Sequence, residues 1–170
     1  MEARTRHGIY GGLVGGTVFG MIMGMMGMLP MIAKMVGSTS AGVGFLVHMV
    51  ISAAIGASFA LAFGASSNTT AHGLRNGLAF GAVWWLLGPL TLMPLFMGMG
   101  LGSQWNMPAV GQAMPSLMGH LIYGAILGLV VAKLSGRAGT VDAINVSGAH
   151  DAPAHCAPLG PRAPGRSSCS

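Results

Sequence analysis

The chain has 170 residues, only 6% of them charged, with a formal charge of +5 and a mean hydropathy of +0.67. A typical soluble domain carries about 25% charged residues, and so few charges cannot supply a solvated coat. The basic balance does not indicate nucleic acid either, because the cations are scattered beside apolar segments and form no clustered phosphate-binding face.

The charge distribution points to a polytopic membrane protein. Between His7 and Ala132 only Lys34 and Arg75 are fully charged. About 20 helical residues cross a bilayer core, and four segments are long and apolar enough to do so. They are residues 8–33, 42–63, 74–97 and 115–133, connected as an all-α, four-helix transmembrane bundle over 8–134. None shows the alternation of a strand. Arg4 and Arg6 resemble the basic start of a signal peptide, but the apolar run is too long and lacks a small-residue cleavage site, so an uncleaved first helix is expected.

Lys and Arg accumulate in cytoplasmic loops. Arg4 and Arg6 precede the first span, Arg75 lies between the second and third, and Lys133 and Arg137 follow the fourth. The other side has Lys34 alone. Residues 1–7, the middle loop and the C-terminus are therefore expected in the cytoplasm, with Trp105 anchoring an outer loop. Residues 135–170 are rich in Ala, Gly, Pro and Ser, a composition that buries too little apolar surface to offset ordering entropy; a disordered tail is expected. Its two cysteines, Cys156 and Cys169, make no disulfide framework and match no zinc spacing.

In the first span Gly8, Gly12, Gly16, Gly20 and Gly24 recur every fourth residue, a ladder of bare backbone on one helix face. Such faces let helices approach closely in lipid. The spacing leaves open whether the partner is this chain, a second copy in a homo-oligomer, or another membrane protein. The second and fourth spans share a pattern: His48, Ser52, Gly56 and Ala60 in one, His120, Gly124, Gly128 and Ala132 in the other. The first and third rhyme through Gly12-Leu13 and Gly77-Leu78, each with a proline near its outer end. Two helical hairpins of common design, inserted the same way up, would give this pattern. Pro89 and Pro94 should break the third span and deprive the carbonyls of Trp85 and Leu90 of their usual donors.

His48 and His120 are the ionisable residues well inside the spans, roughly 7–12 Å below the outer surface at 1.5 Å per residue. Buried ionisable groups in a bilayer are costly and tend to be functional. Two neutral imidazoles can hold a metal, ligate a b-type haem, or carry protons; equally, they can be hydrogen-bonded interior residues. Seven methionines fall between Met21 and Met35. Thioethers select Cu(I), which makes Met25 and Met28 candidate neighbours of a copper site, although methionine also fills gaps between helices.

Every acid lies at Glu2, Asp142 or Asp151, outside the spans, and no nucleophile elbow or nucleotide-binding loop is present. No enzyme is expected. The glycine-ladder span and the stretch Ser116-Leu-Met-Gly-His120-Leu-Ile-Tyr-Gly124 resemble small four-span bacterial membrane proteins classed as domains of unknown function. The resemblance covers about residues 8–135 and implies architecture only, with no activity; the expected setting of the bundle is a bacterial inner membrane. The expectation is thus a non-enzymatic accessory or structural protein of the bilayer, requiring no cofactor and packing through Gly8, Gly12, Gly16, Gly20, Gly24, Gly56, Gly124 and Gly128. The alternative is a copper or b-haem protein using His48 and His120; a small transporter is the third reading.

Overall fold

A computed structural model describes residues 1–67 and 69–150, with side chains as far as Gly136. The described residues are helical and contain no strand. The chain runs through α1 (Glu2–Met25), α2 (Leu29–Ala33), α3 (Ala41–Phe63), α4 (Thr70–Leu87), α5 (Met93–Phe96) and α6 (Met107–His150). Four helical stretches are long and apolar enough to cross a membrane: Glu2–Met25, Ala41–Phe63, Thr70–Phe96 and Met107–Gly136. Of the tail expected to be disordered over 135–170, the part as far as His150 continues α6, and the remainder, with His155, Cys156 and Cys169, lies outside the described residues.

The boundaries differ from expectation for local reasons. The first span stops at Met25 instead of continuing to Ala33, because Gly27 takes a left-handed φ of 68°. The Met28 N–H then bonds the Met23 carbonyl and the Gly27 N–H bonds that of Gly24, the pair of bonds that closes a Schellman helix end. The chain turns and re-enters as α2, with Pro30 in its first turn. Gly98, at φ 75°, ends α5 the same way: Met99 bonds to Pro94 and Gly98 to Leu95. At the other boundary, α6 starts eight residues ahead of Pro115, the expected first residue of the span. Asn106 caps it, its Oδ1 accepting the Ala109 N–H at 3.0 Å, and Pro115 is carried inside the helix.

The bundle is built from two intimate pairs, α1 with α3 and α4 with α6. Within each pair the backbones touch. Gly8 abuts Gly56 and Ala60, and Gly12 abuts Ser52 and Gly56. In the second pair Gly73 abuts Gly128 and Ala132, while Gly77 abuts Gly124 and Gly128. One constant offset relates Gly8, Gly12 and Gly16 to Gly73, Gly77 and Gly81; another relates His48, Ser52, Gly56 and Ala60 to His120, Gly124, Gly128 and Ala132. The two hairpins are thus copies in contact as well as in sequence.

The pairs join asymmetrically. α1 and α6 meet closely, Gly11 on Leu127, Gly15 on Tyr123, and Gly119 beneath the Phe19 ring. The related α3–α4 seam is wide and filled by aromatic rings, Phe80 meeting Phe59 and Phe63 at centroid distances of 5.2 and 6.0 Å. The repeat explains the difference: Phe80 occupies the position that Gly15 holds in the first hairpin. The core gathers around Phe19, Phe59, Tyr123, Leu127 and Val131.

Candidate functional site

The interior polar residues cluster where α1, α3 and α6 converge. His48 is 7% exposed. Its Nε2 lies 3.0 Å from the Gly16 carbonyl oxygen, across the helix interface. A carbonyl only accepts, so Nε2 carries the proton and donates. Ser52 Oγ lies 3.4 Å from the same nitrogen. The contact requires a glycine rung, since a side chain at Gly16 would run into Ser52.

His120 occupies the related position in the second hairpin but turns differently. Its Nδ1 donates to the Ser116 carbonyl of its own helix at 2.8 Å. This fixes the tautomer and leaves Nε2 as an acceptor, 3.5 Å from where a Cβ on Gly88 would stand. Phe19 touches both imidazoles, in edge contact with His48 at a centroid distance of 5.5 Å and with His120 at 4.8 Å. The His48 nitrogen facing α1 is bonded to a carbonyl, so a metal or haem could take that nitrogen only by breaking the contact with Gly16.

Two further donors complete the pattern. Tyr123 is buried and donates its hydroxyl to the Ser52 carbonyl at 2.7 Å. Its ring lies over Gly15, whose missing side chain lets an α6 residue reach past α1 to α3. Trp85 Nε1 donates to the Ala113 carbonyl at 2.9 Å, fastening α4 to α6. Neither Tyr123 nor Phe19 was singled out by sequence pattern, although Tyr123 lies beside Gly124 of the small-residue ridge and Phe19 beside Gly20 of the ladder.

The expected break in the third span is a wide turn. Residues Gly88–Leu92 form a π-type segment in which the Met93 N–H reaches back five residues to the Gly88 carbonyl. Thr91 Oγ1 donates to the Leu86 carbonyl at 2.9 Å and accepts from Trp105 Nε1 at 3.2 Å. Trp105, expected as an interface anchor, is thereby also the tether of its loop to the proline-containing segment.

The remaining candidates separate from this cluster. Gly20 packs under Phe45 and His48, whereas Gly24 is exposed and borders only Leu29 of α2. Met25 is 90% exposed. Met28 is half-buried and packs against the core beside Ile32 and Phe45. Among the described residues no group of three or more His, Cys, Asp or Glu side chains is placed to hold a metal. Comparison with protein-family models, with curated proteins and with solved structures gives no match, so the reading of this cluster rests on its own geometry.

Proposed function

We propose that this chain is a non-enzymatic, multi-pass inner-membrane protein of accessory or structural kind, whose interior histidines act as fastenings between helices. One observation carries the reading. The interior donors His48, Tyr123 and Trp85 each bond a backbone carbonyl of a neighbouring helix, and His120 bonds one of its own. In a bilayer an unsatisfied polar group costs several kcal/mol, so such bonds hold the bundle in one arrangement. Gly8, Gly12, Gly16, Gly20, Gly56, Gly124 and Gly128 all meet neighbouring helices within the chain. A partner or second copy would therefore be met by outer surfaces such as Leu46 and Val50 of α3 or Val83 and Leu86 of α4, which are exposed.

The competing reading, a copper or b-haem centre on His48 and His120, is separated by one experiment. Detergent-purified protein from cells supplied with haem and copper is examined by absorbance and metal analysis, alongside the His48→Ala, His120→Ala variant. The structural reading expects colourless protein, equal metal content in both forms, and a less heat-stable variant. A Soret band, or copper that the variant loses, would overturn it.

We further infer that the end carrying Arg4, Arg6, Arg75 and Lys133 faces the cytoplasm, by the distribution of Lys and Arg. Reporter fusions after Lys133 and within the loop at Gly102 check this: a cytoplasm-active reporter should work only at the first site, and the opposite pattern would refute the orientation.

A further inference from the structure

The end of the bundle opposite the arginines holds an open cavity of about 230 Å³ lined by Met31, Lys34, Met35, Phe96 and Met97. Met31 and Met35 stand one helical turn apart across α2 and the 3-10 turn Lys34–Val36 that continues it. Met97 comes from the other hairpin, at the end of α5. Two Schellman ends put these segments there: Gly27 turns the chain so that α2 folds back at this end, and Gly98 stops α5 just after Met97. Two thioethers one turn apart and a third more than sixty residues along the chain thus border one cavity. All three lie outside the apolar spans Glu2–Met25 and Thr70–Phe96, Met97 directly after the second of them.

We propose that this cavity binds a monovalent soft cation, Cu(I) or Ag(I), through the sulfurs of Met31, Met35 and Met97. The site is independent of His48 and His120 and of the structural role assigned to them. Thioethers are uncharged, soft donors that select Cu(I) over hard ions. Methionine side chains have three rotatable bonds and adapt their sulfurs to a ligand, and Met31 and Met97 keep that freedom at 42% and 49% exposure. Phe96 also lines the cavity, and an aromatic ring attracts a cation placed over its face. Lys34 opposes binding by charge. Its ammonium sits on a flexible stem that can extend into water, so it lowers affinity without closing the site, and that supplies an electrostatic test.

The full chain, with Cys156 and Cys169 replaced by serine to remove competing thiolates, is titrated calorimetrically with Ag(I) in chloride-free buffer and detergent micelles. Expected are one equivalent bound, unchanged by His48→Ala with His120→Ala, and weakening by roughly tenfold or more in the Met31→Leu, Met35→Leu, Met97→Leu variant, since leucine offers no donor. Met-to-Leu changes conserve volume and are well tolerated; the single Met97→Leu variant, with its helix content checked by circular dichroism, gives the same readout with less disturbance. Lys34→Gln should tighten binding about threefold, the Coulomb effect of one charge several ångströms away in water. No saturable binding by the starting protein, as for a groove filled only by detergent or lipid chains, overturns the proposal. So does binding that the leucine variants leave unchanged, or that Lys34→Gln fails to strengthen.

Discussion

Gly12 and Gly111 are both helical glycines, and their surroundings predict opposite responses to a methyl group. A Cβ on Gly12 would collide with the Ser52 carbonyl and stand 3.0 Å from the Gly56 Cα, both backbone atoms that cannot swing aside. A Cβ on Gly111 would meet nothing within 4 Å. Overpacking a tight contact costs about 1–3 kcal/mol, whereas relieving an exposed helix of glycine gains up to about 1 kcal/mol. Gly12→Ala should therefore lower the thermal unfolding midpoint in micelles and Gly111→Ala should hold or raise it. Gly77→Ala, against the Gly124 carbonyl, should behave like Gly12→Ala because it is the same contact in the second hairpin. Equal effects at all three positions would show that these contacts do not hold the helices together. The spacing of Gly8, Gly12, Gly16 and Gly20 was legible as a packing face, because every fourth residue returns to one side of a helix. Its partner was not, since bare backbone carries no mark of what lies against it. Gly73, Gly77 and Gly81 have the same spacing, but the prolines downstream drew attention to the break in their helix and away from its regular beginning.

At the scale of the elements, composition sufficed for existence and local chemistry decided the ends. A run of apolar residues says that a helix crosses a bilayer, and four such runs correspond to four observed helical stretches. Where a run stops depends on single residues that hydropathy averages away. Gly27 is surrounded by methionines that would suit a longer span, yet its left-handed backbone and the bonds from Met28 and Gly27 back to Met23 and Gly24 end α1 there. Asn106 followed by Pro108 is a start signal of the ordinary kind; Pro115 concealed it, because a proline inside a run reads more readily as a beginning than as a residue a helix absorbs. The wide turn at Gly88–Leu92 was foreseeable as a disturbance and not as a π-type step. The step is accompanied by the bonds from Thr91 to Leu86 and from Trp105 to Thr91, and Trp105 belongs to a loop whose return could not be read from spacing.

For the whole molecule, duplication explains both the likeness of the hairpins and the way they join. Each hairpin fastens itself by backbone contact between glycines, while the hairpins meet through side chains laid on glycines: Tyr123 on Gly15, Leu127 on Gly11, Phe19 on Gly119. A two-stage assembly follows, in which each pair forms first and the pairs then dock, as preformed helical units do in lipid. A chain cut in the connection near Ser66 should accordingly reassemble, the half carrying α1–α3 capturing the half carrying α4–α6 when the two are co-expressed and one is tagged. Gly119→Val is the discriminating change. Its added carbons would enter the Phe19 ring, between the hairpins, and they leave the Gly73, Gly77 and Gly81 contacts of α4 with α6 untouched. Capture should fall sharply with Gly119→Val and much less with Gly111→Val, which faces open space. If Gly119→Val halves are still captured at the level of the unaltered halves, the α1–α6 seam is not what joins the repeats, and the aromatic α3–α4 seam around Phe59 and Phe80 must carry the docking instead.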